Sequence, residues 1–186
     1  MRHLAAIVSL PLMLELTPAQ QRLPEVESVV LACGFVVPPP ETLAQWRERA
    51  DLVIRVRIES QFAFEHVRSE LTTDIVTLHE AEVLDVIKGH PRAVAAGAVQ
   101  QFLQMGGRIA RPDHVETQTW NGFPIMPVGT EWVLFLEWNT ALSGFTLFYR
   151  EHGAVQVVDG TVITRQGLLH EWNGRPLVEF LTALTR

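Results

Sequence analysis

The sequence is poor in lysine and cysteine. Only one of its 15 basic residues is a lysine, Lys88, and the arginines are scattered along the chain. Proteins that bind duplex nucleic acid normally cluster Lys and Arg, because contacts to phosphates displace condensed counterions. With a formal net charge of -6, we therefore expect no nucleic-acid partner and no binding to an anionic membrane surface. The single cysteine, Cys33, excludes an intrachain disulfide.

The sequence also lacks recognisable catalytic motifs. Ser60, Ser69 and Ser143 are not flanked by the Gly-x-Ser-x-Gly elbow of a nucleophilic serine. No phosphate-binding loop or dinucleotide fingerprint occurs, and the Gly106-Gly107 pair indicates only a turn or a bulge. None of the seven histidines is followed by another at the i, i+2 or i, i+4 spacing of a strand or helix ligand pair. We therefore expect no catalytic residues, no metal site and no cofactor.

The chain has the composition and length of one globular domain with a leader. It has 186 residues, of which 47% are hydrophobic and 19% charged. Residues 1–19 are typical of a signal peptide, with a short basic start, an apolar run over 4–14 and small residues at 17–19. The run is too short for a membrane-spanning helix, which needs about 20 residues. We expect a secreted or periplasmic protein without stable membrane insertion after leader removal; the alternative is an N-terminal core helix.

The next segment, 20–40, is predicted to be a tether or irregular segment. The three prolines at 38–40 favour polyproline II structure and disfavour a helix just before them. Cys33 lies in this segment and is expected to be a buried, inert thiol, with lipidation as the alternative.

Residues 41–186 are predicted to form a single domain of β-strands with a helix at each end. Thr42 is the expected N-cap of the first helix. Apolar residues then alternate with polar ones from Leu52 to Ser60, which indicates a half-buried strand, and 72–87 is long enough to require a bulge or bend. Asp159-Gly160 between two β-branched pairs predicts a hairpin. Leu177, Phe180, Leu181 and Leu184 follow Pro176 at helical spacing.

The strand cores and turns resemble a known group of domains. The stretches concerned are 50–54, 81–89, 105–107, 128–136 and 159–160, which read ADLVI, AEVLDVIKG, MGG, VGTEWVLFL and DG. In this arrangement they resemble bacterial exported domains of unassigned activity, whose strands build an OB-like barrel of the type found in tissue inhibitors of metalloproteinases and in netrin modules. The resemblance covers about residues 50–164. It implies a mainly β fold, a small antiparallel OB-like β-barrel with flanking N-terminal and C-terminal helices.

The resemblance implies no activity. The metalloproteinase inhibitors place the amine and carbonyl of an N-terminal cysteine on a catalytic zinc and brace it with disulfides, whereas this chain offers only Cys33. No inhibitory residue can be carried over, and a shared fold does not supply a function.

The segment from Arg108 to Pro127 is the longest stretch without periodicity, and such loops are often binding loops. We expect a ligand-binding surface here and at the barrel mouth, formed by Arg108, Trp120, Asn121 and Phe123. In the alternative, Trp120 and Phe123 pack under the loop and close the end of the barrel.

The sequence thus predicts a non-enzymatic binding or interaction module for an unknown protein or polymer ligand. Two alternatives stay open. The first is a metal-dependent hydrolase with a dispersed site of His79, Glu80 or Glu82 with His66, since such sites assemble in space rather than in sequence. The second is a structural role in an envelope assembly.

Overall fold

The computed structural model describes residues 23–30, 40–69, 72–121, 123–164 and 169–186. Within these ranges the chain is mainly β, with ten strands and two α-helices. The signal peptide expected at 1–19 and the thiol of Cys33 lie outside the described residues. In the described part of the chain, neither helix has the length and apolar character needed to cross a membrane.

The elements follow one another as ten strands, two α-helices and two short 3-10 helices. The strands are β1 (Glu25–Val30), β2 (Leu52–Ser69), β3 (Thr72–Lys88), β4 (Val99–Met105), β5 (Gly107–Ala110), β6 (Val115–Trp120), β7 (Glu131–Asn139), β8 (Gly144–Leu147), β9 (Ala154–Val158) and β10 (Thr161–Ile163). The α-helices are α1 (Leu43–Arg49) and α2 (Leu177–Thr185), and the 3-10 helices are Arg150–Gly153 and His170–Trp172.

The strands form two sheets. The larger has the order β10-β9-β7-β2-β3-β4-β8, with an additional pairing of β7 with β8, and the smaller has the order β1-β6-β5. β4 and β8 run parallel and pair through a single residue pair, Leu103 opposite Thr146. We call this thin contact between β4 and β8 the seam.

The alternation predicted in β2 is confirmed and divides the interior into two cores. Leu52, Ile54, Val56 and Ile58 point into one core, where they pack with Trp132 and other side chains of β7, β3 and β4. Val53 points the other way, into a core that the sheet shares with the two helices. In that second core Trp46 of α1 is fully buried, because Leu43, Trp46 and Ala50 share one face that packs against the sheet.

A bulge in β2 changes which side of the sheet its residues face. Ile58 lies opposite Ala81, but Ser60 lies opposite Glu80, so β2 has one residue more than β3 at this point. Phe62, two positions further on, is therefore turned away from the core and is 67% exposed. This bulge carries large apolar side chains to the outside of the sheet. The bulge predicted for 72–87 is confirmed separately in β3, where Arg55 lies opposite Asp85 and Val56 opposite Val83, so that Leu84 is the extra residue.

The helix caps and the last hairpin agree with local sequence signals. The Thr42 hydroxyl accepts a hydrogen bond from the Gln45 amide, as an N-cap does. Asp159 and Gly160 have φ values of 49° and 71°, the left-handed pair that a two-residue turn between β9 and β10 requires. In α2, Leu177, Phe180 and Leu184 are buried at the predicted spacing.

Two expectations about strands are corrected. The stretch Arg108–Pro127, expected to be an unpatterned loop, contains most of β5 and all of β6, and the range 20–40 contains β1. β1 pairs with β6 in parallel from Glu25 opposite Val115 to Val30 opposite Trp120. The alternation in β6 gives a weak strand signal because it sets Thr and Val against Glu and Gln rather than apolar against charged residues, and β1 needs a partner some 90 residues away.

The alternation along β2 predicts that Arg55 and Arg57 face Glu80 and Glu82 on a neighbouring strand and form cross-strand ion pairs. Arg57 does pair with Glu82, with 3.3 Å between guanidinium and carboxylate. Arg55 pairs instead with Asp85 at 2.9 Å and with Glu131 at 2.6 Å. Asp85 lies directly opposite Arg55 on β3, and Glu131 lies diagonally across on β7, opposite Arg57. These carboxylates raise the pKa of Arg55, with the Glu131 hydrogen bond as the largest cause.

Candidate functional site

The structure places two of the four predicted binding residues inside and two outside. Trp120 and Phe123 are 9% and 6% exposed, so the alternative in which both side chains pack inward describes their position. Phe123 contacts Trp132 edge to face at 6.3 Å between ring centroids. Arg108 lies on β5, where its mostly exposed side chain is 3.4 Å from Glu25. Asn121 is exposed at the turn after β6, with a positive φ of 50°.

The buried faces of Trp120 and Phe123 nevertheless contribute to a concave site, which we call the Trp120 pocket. It lies beside the seam and has a volume of about 200 Å³. Its apolar walls come from β4, from the end of β6 and from the segment around β8, and they are Leu103, Met105, Trp120, Phe123, Leu142 and Leu147. Leu103 faces this pocket because its neighbour Phe102 is turned into the core, as alternation along a strand requires.

Polar groups border the Trp120 pocket on the side of β7 and the 3-10 helix. The Arg150 guanidinium carbon lies 5.7 Å from the centroid of the Trp120 ring, within the range of a cation–π contact. Glu137 on β7 and Asn139 also line the pocket. Partial desolvation raises the pKa of Glu137, and the negative charge of Asp51 raises it further.

A second pocket, which we call the Trp138 pocket, lies on the other side of Leu103 and has a volume of about 240 Å³. Leu103 and Leu142 line both pockets, so the two share a wall. The guanidinium carbon of Arg92 lies 4.2 Å from the centroid of the Trp138 ring. Each pocket therefore has an arginine stacked on its tryptophan.

The seam explains why the pockets lie here. β4 and β8 share one bridged residue pair, Leu103 with Thr146, and Leu103 lines both pockets. The registers place Phe62, Leu78, Leu103 and Thr146 in one row across β2, β3, β4 and β8. An exposed phenylalanine thus begins a mainly apolar row that ends between the two pockets.

A buried hydrogen-bond network fixes the wall behind the Trp120 pocket. The side-chain oxygen of Gln104 lies 3.0 Å from Nε2 of His79 and accepts from the amide of Met126, while its nitrogen donates to the carbonyl of Pro124. This ties the segment after Phe123 to β4. His79 is fully buried and stacks on Phe102 at 4.8 Å. Burial lowers the pKa of His79 from its usual 6.5 to about 4, so the ring is neutral at pH 7.

The residues of the alternative hydrolase site are kept apart. His79 points into the core, whereas the carboxylate of Glu80 accepts hydrogen bonds from Ser60 and Gln101 on the outer face. Glu82 pairs with Arg57, and His66 lies opposite Asp74 far along the hairpin. In the part of the chain that the structure describes, no group of three or more His, Cys, Asp or Glu could hold a metal ion.

Sequence reasoning missed most of the site. Leu103, Leu142, Arg92 and Arg150 carry no local signal, because their role arises only where β4, β8 and the 3-10 helix meet. Trp120 is predicted from the sequence because it lies in the long stretch between Arg108 and Pro127 that lacks periodicity. Comparison with known proteins adds nothing to the site: no protein-family model matches the chain, and no curated protein matches it.

Proposed function

We propose that this protein is a non-enzymatic interaction module that binds single side chains of a partner protein in the two pockets beside the seam. The observation that carries the proposal is the size of the pockets. Pockets for drug-sized ligands are usually about 300–1,000 Å³, whereas these are about 200 and 240 Å³. An engineered cavity of about 150 Å³ holds benzene, so each pocket has room for one side chain, and the mainly apolar lining of the Trp120 pocket suits an apolar one.

The chemistry of the walls supports the same reading. Anchor residues of protein interfaces insert into desolvated pockets that neighbouring contacts shield from water. Trp120, Leu103 and Leu142 give such a desolvated surface, and Arg150 and Asn139 at the edge are donors for a partner backbone. Of the four binding residues expected from the sequence, Trp120 and Phe123 enter the proposal as walls.

We also propose that the central strands form an OB-like barrel. The pairings run from β2 through β3, β4 and β8 to β7 and return to β2, and an OB-fold is a partly open barrel of five strands. The single pair at the seam makes it the weakest link of that circuit. The proposed location outside the cytoplasm depends on residues 1–19 alone, through their signal-peptide pattern.

The proposal is tested with small mimics of protein side chains. We expect N-acetyl-leucinamide and N-acetyl-phenylalaninamide to shift the indole N–H NMR signals of Trp120 and Trp138 and to leave that of Trp46 in place, because Trp46 is buried in the other core. Leu142→Ser should weaken this binding by about tenfold, since it removes the apolar wall shared by both pockets and a lost side chain of this size is worth 1–3 kcal/mol.

Val128→Ser is the matched control, because Val128 is a half-exposed aliphatic residue in a loop and lines neither pocket. It should leave the shifts unchanged. N-acetyl-serinamide, which offers the same backbone groups without an apolar side chain, should cause none. Equal shifts with all three amides, or equal binding by the Leu142→Ser variant, would show that the pockets do not select apolar side chains.

A further inference from the structure

We propose that the partner segment that the two pockets accept is extended and acidic, with two apolar side chains at positions i and i+2 flanked by carboxylates. This inference rests on the proposed function and names the chemistry of its ligand. Its basis is that Arg150 lines one and Arg92 the other of two pockets that share a wall.

The two arginines are held in place but keep their charge available. Each guanidinium lies over a tryptophan ring, Arg92 over Trp138 at 4.2 Å and Arg150 over Trp120 at 5.7 Å. Neither forms an ion pair with another described side chain, whereas Arg55, Arg57, Arg108 and Arg111 all do. A stacked guanidinium still presents N–H groups at its edges, which suit a carboxylate. The pockets thus offer two preorganised carboxylate sites.

The charges around the pockets favour an acidic ligand even though the chain carries -6 overall. Glu137 is the one acidic residue that lines either pocket, against two arginines. Glu80 lies near the Trp138 pocket through its hydrogen bond with Gln101, and Asp51 lies close enough to Glu137 to raise its pKa, but neither carboxylate lines a pocket. Among the residues that line the two pockets, positive charges exceed negative charges by one.

The shared wall indicates an extended segment. Alternate side chains of an extended chain point the same way and lie about 7 Å apart, which suits two adjacent pockets divided by Leu103 and Leu142.

The test uses three blocked pentapeptides, acetyl-Asp-Leu-Ser-Leu-Asp-amide and its counterparts with Asn or Lys in place of both Asp residues. Titrations followed by the indole signals of Trp120 and Trp138 give the affinities. We expect the acidic peptide to bind about threefold to thirtyfold tighter than the neutral one, the range that two exposed ion pairs supply. The preference should fall as salt is added.

Arg92→Glu/Arg150→Glu should reverse the order, so that the basic peptide binds best. Arg92→Gln alone should reduce the ratio of the affinities for the acidic and the neutral peptide. Because Arg92 is exposed, this variant should fold, and it provides the measurement if the double variant does not fold. Arg175→Glu is the matched control, since Arg175 lies over Trp172 at 5.1 Å in a different part of the surface, and it should leave the order unchanged.

The outcomes separate the two proposals. If the neutral peptide binds as tightly as the acidic one, or if the arginine variants still prefer the acidic peptide, the inference of an acidic partner segment is wrong. The proposal that the pockets bind side chains is then unaffected. If none of the three peptides binds, the proposed function fails together with the inference.

Discussion

Gly153→Ala is expected to lower the free energy of unfolding by about 3 kcal/mol or more, and the melting temperature by about 6–12 °C. A Cβ at Gly153 would overlap the carbonyl oxygens of Phe148 and Phe135. Both oxygens belong to the backbone, and the carbonyl oxygen of Phe135 already accepts a hydrogen bond from the Phe148 amide at 2.8 Å. No change of side-chain rotamer can relieve the overlap, so the chain between β8 and β9 must shift.

That shift would also disturb the candidate site. Gly153 ends the 3-10 helix that begins at Arg150, and Tyr149 and Arg150 both have positive φ values, 52° and 57°. Such backbone costs about 1–3 kcal/mol for a residue with a side chain and persists only where the surroundings enforce it. We therefore expect Gly153→Ala to weaken binding of the leucine and phenylalanine amides as well as stability.

Thermal unfolding followed by circular dichroism measures the effect. Gly89→Ala is the matched control, because its new Cβ would meet only Val86, at an ordinary 3.8 Å. It should change the free energy of unfolding by less than about 1 kcal/mol. A Gly153→Ala protein as stable as Gly89→Ala would mean that the tight approach of Gly153 to the two carbonyls is wrong.

The second large effect concerns acid. We expect the folded protein to lose about 3 kcal/mol of stability between pH 7 and pH 4 through His79 alone. Its pKa is about 4 in the folded protein and 6.5 in the unfolded chain. Between these values the unfolded state binds more protons, so stability is fully present above about pH 6.5 and falls as the pH falls toward 4.

Urea unfolding at pH 7, 6, 5 and 4 tests this against His79→Gln. The glutamine cannot titrate, and its amide can still donate toward Gln104. The variant should be less stable at pH 7, because it loses the stacking on Phe102, but its stability should fall by about 3 kcal/mol less over the pH range. Parallel pH curves for the two proteins would show that His79 does not carry the acid sensitivity.

Local signals in the sequence predicted the elements well where one residue or a short pattern decides the backbone. Thr42 began a helix because its side chain caps the first turn, and Asp159-Gly160 formed a turn because both residues accept a positive φ. The alternation of Leu52, Ile54, Val56 and Ile58 predicted a half-buried strand because a strand turns successive side chains to opposite faces. Each of these signals is complete within a few residues.

The same reasoning failed where a strand depends on a distant partner. β5 and β6 lie in a stretch that was expected to be a loop. A segment rich in Thr, Gln and Glu has little apolar signal of its own and forms a strand only when neighbouring strands accept its backbone hydrogen bonds, as β1 and β5 do for β6. The outward turn of Phe62 follows from one extra residue in β2 relative to β3, and a register shift of one residue reverses every face. No pattern within β2 alone reveals it.

By itself, the sequence determined a mainly β chain with a helix at each end, an acidic net charge, and a scarcity of lysine and cysteine that argues against nucleic-acid binding and disulfides. Only the tertiary structure decided that Trp120 faces inward and that Arg92, Leu103 and Arg150 border two neighbouring pockets. The reason is that these residues are separated by up to 58 positions in the chain, and the pairing of β4 with β8 is what brings them together.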